Sequence, residues 1–98
     1  MSEARVLVYS LSMCSPCKEL KRSLQERGVQ FEEVMLDDLC PQVKNMMRHL
    51  FVKRTGYRFV PVVEVILGTE QYWISNEGQE HIQEKVVQQI TQLVKSNS

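Results

Sequence analysis

Cys14 and Cys17, separated by Ser15 and Pro16, are the residues of this 98-residue chain whose type and spacing carry the clearest chemistry. Two thiols three positions apart suit thiol–disulfide exchange, in which one sulfur attacks a disulfide and the other resolves the mixed disulfide. The same spacing supplies half of a zinc site and also arises by chance. A zinc site needs two further ligands, and Cys40, His49 and His81 have none of the usual paired spacing, so no metal site is expected.

Context strengthens the exchange reading. Val6 to Tyr9 form a short apolar run bounded by Ser10 and Ser12, which reads as a buried strand ending in a loop that reaches Cys14. Ser15 and Pro16 suit the cap and first turn of a helix, with Cys17, Leu20 and Leu24 on one face and Gly28 closing it. At that helix start, unpaired N–H groups and the positive end of the dipole favour a thiolate at Cys14. Cys17 faces inward with Leu20 and Leu24 and is expected to be the less exposed of the pair. Lys18, Lys21 and Arg22 add positive charge that would depress the Cys14 pKa further.

The elements beyond must hold this helix start in place. A second strand is predicted from Phe31 to Leu36, and the short connection makes the opening β-α-β. Pro41 starts a second helix whose Val43, Met46, Met47, Leu50 and Phe51 form an amphipathic stripe, with both methionines expected in the core. Val62 to Leu67 reads as a third strand, turned by Gly68-Thr69 into a fourth from about Gln71 to Ile74, the two forming an antiparallel hairpin. Tyr72 and Trp73 alternate there, so one is expected buried and the other exposed. Asn76 with Gln79 resembles a capping box, and a last helix carries Ile82, Val86, Ile90, Leu93 and Val94 on one face. The order is β-α-β-α-β-β-α in a single domain, 1–98, with a four-stranded mixed sheet whose first two strands are parallel.

Composition narrows the function classes. Twelve Lys+Arg balance twelve Asp+Glu, so no global charge favours nucleic acid or an anionic membrane, and neither is expected as a partner. No apolar run is long enough to span a bilayer, and the first residues lack the pattern of a secretion signal. The expected compartment is therefore the reducing cytoplasm, where an odd count of three cysteines suits thiol chemistry better than structural disulfides. Cys40, before Pro41, is either a reactive thiol or a buried small side chain.

The strand, the Cys-x-x-Cys at the head of the first helix and the Val60-Pro61 before the third strand resemble glutaredoxins of the thioredoxin superfamily, over nearly the whole chain. Tyr9-Ser10 resembles the segment preceding the glutaredoxin active site, and Phe59-Val60-Pro61 corresponds to that family's Thr-Val-Pro. The resemblance implies a thioredoxin-like sandwich, a thiol–disulfide oxidoreductase with Cys14 as nucleophile and Cys17 as resolving thiol, and a cis bond at Pro61. It also implies that the Val60 backbone pairs with a bound peptide or glutathione. No tightly bound cofactor is implied; the expected reductant is glutathione, and the expected partners are disulfide-containing proteins or glutathione.

The chain also departs from the family pattern. Leu11 stands where glutaredoxins commonly have Lys, and Ser75-Asn76-Glu77-Gly78 replaces the Gly-Gly-x-Asp that holds the γ-glutamyl end of glutathione. These departures keep two alternatives open: a protein-specific electron donor served by a thioredoxin-reductase-like flavoprotein, and a non-enzymatic module binding metal or an iron–sulfur cluster. One local charge bias accompanies them. Between Asp38 and Glu64 there is no acidic residue, while Lys44, Arg48, Lys53, Arg54 and Arg58 are present. Arg58, just before Val60-Pro61, is the one best placed to meet a substrate carboxylate; the plainer alternative is a solvated helix face.

Overall fold

The computed structural model describes residues 4–96. A strand β1 (Ala4–Ser10) leads into helix α1 (Ser15–Glu26) and strand β2 (Glu32–Met35). A short 3₁₀ turn (Leu36–Asp38) then precedes helix α2 (Pro41–Thr55). Strands β3 (Val62–Leu67) and β4 (Glu70–Ser75) form a hairpin, and helix α3 (Glu84–Ser96) ends the described chain. This is the expected order, with three helices and a four-stranded mixed sheet ordered β2-β1-β3-β4.

β1 runs parallel to β2, with Leu7 opposite Glu32 and Ser10 opposite Met35. Its other edge pairs antiparallel with β3, from Ala4 opposite Leu67 to Tyr9 opposite Val62. Gly68 takes φ +63°, which a two-residue hairpin connection asks of its first residue and which a side chain would oppose. Side chains alternate across this sheet, so each face has its own core. Val6, Val8, Val63, Val65 and Ile74 meet Leu20 and Leu24 of α1 and Val86, Val87 and Ile90 of α3 on one face. The other face packs Tyr9, Leu36 and Val62 against Phe51 of α2, with Trp73 stacked on Tyr9 at 6.0 Å between ring centroids.

α1 ends as its sequence suggests. Gly28 adopts φ +72°, its N–H reaches the Gln25 carbonyl, and the Val29 N–H reaches back to Leu24. That pair of bonds is a Schellman closure, with Leu24 and Val29 both buried beneath it. Several local expectations are corrected. The side chain capping α1 is that of Cys14, not Ser15, which is already the first helical residue. Asn76 and Gln79 cap no helix, because α3 begins only at Glu84; the buried Asn76 instead bonds the backbone at Gln79, His81 and Gln83 and shapes the connecting loop, which also contains Ile82.

The third correction concerns α2, whose periodic stripe is only partly used. Phe51 is buried, but Val43 and Met46 face solvent, Met46 at 68% exposure. The helix covers only part of its sheet face, so its fringe positions have nothing to pack against. Tyr72 and Trp73 are both half-buried because both faces of the hairpin are covered. Cys40, at the start of α2, is exposed and free rather than a packed apolar residue.

Candidate active site

The site is built where the C-terminal end of β1 feeds α1. Cys14 has extended backbone (φ −128°, ψ 105°) and acts as the N-cap, its Sγ accepting the Cys17 N–H at 3.3 Å. The two cysteines are joined as a disulfide across 5.3 Å between Cα atoms. Their environments differ as expected: Cys14 keeps 8% of its surface exposed and Cys17 none, because Cys17 turns toward the core with Leu20 and Leu24. In the reduced state a sulfur at Cys14 would face a helix N-terminus and a backbone donor, both of which stabilise the thiolate.

The expected cation support is weaker than the sequence suggests. Lys21 is ion-paired with Glu33 of β2, and Ser10 donates to the same carboxylate. Those bonds, that with Lys21 foremost, hold Glu33 below the ordinary carboxylate range.

Val60-Pro61 is cis and closes the site from the β3 side, with the Val60 carbonyl oxygen 3.9 Å from Cys14 Sγ. A cavity of about 470 Å³ opens over the sulfur. Its walls bring together Cys14, Val60 and Arg58, with Pro61 buried behind them. They also include Arg48 of α2 and the exposed side chains of Met13 (92%) and Phe59 (53%), which no motif marks as part of the site. Arg48 is visible in the sequence only as one of several cations on α2, because its aim depends on how that helix crosses the sheet. The Arg58 guanidinium stacks 5.5 Å over the Phe59 ring.

Two contacts fix the loops around the cavity. The Ser12 N–H and hydroxyl both donate to Asp37, tying the Cys14 loop to the turn after β2. These bonds, the hydroxyl's first, hold the Asp37 carboxyl below its ordinary range. Phe59 lies against Gly78, where an added Cβ would stand 3.2 Å from its ring. The segment Ser75-Asn76-Glu77-Gly78 is largely satisfied internally: the Glu77 N–H reaches Ser75 Oγ, and the Glu77 carboxylate is held by Lys85 and Gln83. Among the described residues, no group of three or more His, Cys, Asp or Glu side chains is placed to hold a metal ion.

The geometry therefore presents a partly accessible sulfur on a helix start, a buried partner sulfur and a mostly apolar cavity whose charged lining residues are cations. Residues 6–66 match the family model described as Glutaredoxin. The chain is 32% identical over 77 residues to the N-acetyl-S-hydroxy-L-cysteine reductase of Bacillus subtilis (strain 168), covering 79% of this chain and 77% of that protein. Among solved structures it resembles a glutaredoxin of Archaeoglobus fulgidus, with TM-score 0.55 and 31% identity over 79% of this chain and 80% of the other. The methanoredoxin of Methanosarcina acetivorans superposes with TM-score 0.64 and 26% identity, covering 89% and 83%. The Escherichia coli glutaredoxin-like protein NrdH-redoxin, at TM-score 0.58, 23% identity and coverages of 88% and 93%, shares the fold.

Proposed function

The chain belongs to the glutaredoxin family and is a thiol–disulfide oxidoreductase, and from that premise we propose that Cys14 is its nucleophile and Cys17 its resolving thiol. The observation that carries the assignment is the asymmetry of the pair: Cys14 is partly exposed, caps α1 and receives the Cys17 N–H, while Cys17 is fully buried. The Cys14 thiolate attacks one sulfur of a substrate R–S–S–R′, forming Cys14–S–S–R and expelling R′S⁻, which takes up a proton. Cys17 then loses its proton and attacks Cys14 Sγ, forming the intramolecular disulfide and releasing RS⁻. Two electrons pass from the dithiol to the substrate.

The same steps reduce a sulfenic acid: Cys14 attacks the sulfur of R–S–OH, the S–O bond breaks, and the oxygen leaves as water after protonation. The reductase from Bacillus subtilis, whose named substrate bears a hydroxyl on sulfur, supports including this class. In the substrate complex the Val60 backbone pairs with the extended backbone of a peptide or glutathione beside Pro61, and Arg58 meets a carboxylate. No tightly bound cofactor takes part.

Glutathione closes the cycle by two successive thiol exchanges, becoming glutathione disulfide, with electron transport in the cytoplasm as the setting. A second reading, in which a flavoprotein reductase supplies the electrons to a protein-specific donor, is favoured by the internal bonding of Ser75 to Gly78. NADPH oxidation with glutathione and glutathione reductase, on a glutathione mixed disulfide, tests both. Turnover by the wild type that is abolished in Cys14→Ser supports the glutathione route. An inert wild type that turns over with a thioredoxin-reductase-like enzyme supports the second reading. If Cys14→Ser retains full activity under either reductant, the assignment of the nucleophile is wrong.

A further inference from the structure

The cavity over Cys14 does not end at its two arginines. Arg48 and Arg58 also line a second cavity, of about 290 Å³, together with Asn45, His49 and Val52 on the far side. The arginines thus form a cationic ridge between two adjoining concavities, one holding the reactive sulfur and the other floored by the side of α2. Neither cavity has an acidic lining residue. Among the described residues, Arg48 and Arg58 have no carboxylate partner, whereas Arg5, Lys21, Arg27 and Lys85 each do. The Arg58 guanidinium lies over the Phe59 ring, 5.5 Å from its centroid, on the rim shared by the two cavities.

From this we infer that the site takes an extended acidic segment of a protein substrate. Its reactive cysteine enters the first cavity, a carboxylate side chain crosses the Arg48–Arg58 ridge, and an apolar side chain lies in the second cavity against the exposed Val52. The inference rests on the dithiol reading above and names the substrate class for that same site. A compact thiol fills only the first cavity, whereas an extended chain advancing about 3.3 Å per residue continues across the shared arginines into the second. The exposed Met13 and Phe59 supply apolar contact around the cysteine, and the arginines supply the charge selectivity.

The reduced protein is mixed with chromogenic mixed disulfides of the N-acetylcysteine amide and of two hexapeptides. The hexapeptides differ in carrying either aspartates or lysines two and three positions from the cysteine, followed by leucine. The acidic peptide is expected to react about tenfold faster than the basic one at low ionic strength, with the gap closing as salt is raised. The double substitution Arg48→Glu, Arg58→Glu is expected to invert the order. Val52→Gln, which removes the apolar contact without adding charge, is expected to slow the acidic peptide severalfold more than the short amide. Rates for the two peptides that agree within about twofold, or a preference unchanged by the double charge reversal, overturn the inference while leaving the dithiol chemistry standing. Failure of even the short amide to react overturns both.

Discussion

The two faces of the sheet are built on different terms. Beneath α1 and α3 lies an aliphatic layer of valines, leucines and isoleucines drawn from two helices and three strands. Beneath α2 the layer is smaller, aromatic and partly polar: Tyr9, Phe51 and Trp73 meet there, and Glu64 is buried among them with only 6% exposure. Its carboxylate accepts from the Tyr9 hydroxyl at 3.0 Å and from Gln71 at 2.9 Å. The first face anchors the Cys17 side of the site through Leu20 and Leu24. The second lends Leu36 and Val60, which pack against its aromatic core, to the wall of the Cys14 cavity. The contrast separates a layer that holds the fold from a layer that also forms a surface for exchange.

The sharpest way to break this contrast is Leu24→Ala, which empties a fully buried site on the aliphatic face and is expected to cost about 2–5 kcal/mol. Urea unfolding should show a lower midpoint with an unchanged slope. On the aromatic face, Tyr9→Phe removes one donor from a buried carboxylate and is expected to cost about 1–3 kcal/mol by the same measurement. Burial, followed by the charge and hydrogen bond of Glu64, raises the Tyr9 pKa above its ordinary value of 10.0. Because the folded state then holds a proton that the unfolded chain releases, stability falls as pH climbs past 10.0. Tyr9→Phe should flatten that alkaline fall in a series of urea midpoints.

A smaller effect is expected at acid pH. Glu19, held foremost by the Ile82 N–H, and Glu33, held foremost by Lys21, have pKa values below their ordinary 4.5. Their contribution is complete above 4.5 and is lost as pH falls toward the lowered values, so urea midpoints should decline over that range. The smallest effect belongs to the exposed edge of α2. Met46→Ser is expected to shift stability by no more than about 0.5 kcal/mol, and a Leu24-sized loss would overturn the view that this edge is unpacked.

The same contrast explains what could be read from the amino-acid order. β3 is legible to the residue, because Val62 to Leu67 is a strongly β-forming run bounded by Pro61 and Gly68. The helix start at Cys14 is legible because Pro16 and the Cys17, Leu20, Leu24 face point the same way. On the other face the pattern misleads, since periodicity shows which residues of α2 share a side but not how much sheet lies opposite them. Glu64 illustrates the same limit: its partners Tyr9 and Gln71 become neighbours only through sheet register and hairpin folding. Arg48 escaped for that reason too, as its place on the cavity wall is set by the crossing of α2 rather than by local sequence.

The sulfur of Cys14 is also the ligand that closes the first turn of α1. Oxidation therefore changes the acceptor strength of a helix cap, since a thiolate takes an N–H bond more strongly than a neutral disulfide sulfur does. The helix end and the electron pair share one thermodynamic cycle: each increment by which the cap prefers the thiolate raises the reduction potential of the pair by the equivalent amount. Fraying of that single turn would cost oxidising power, even if every side chain in the cavity stayed where it is.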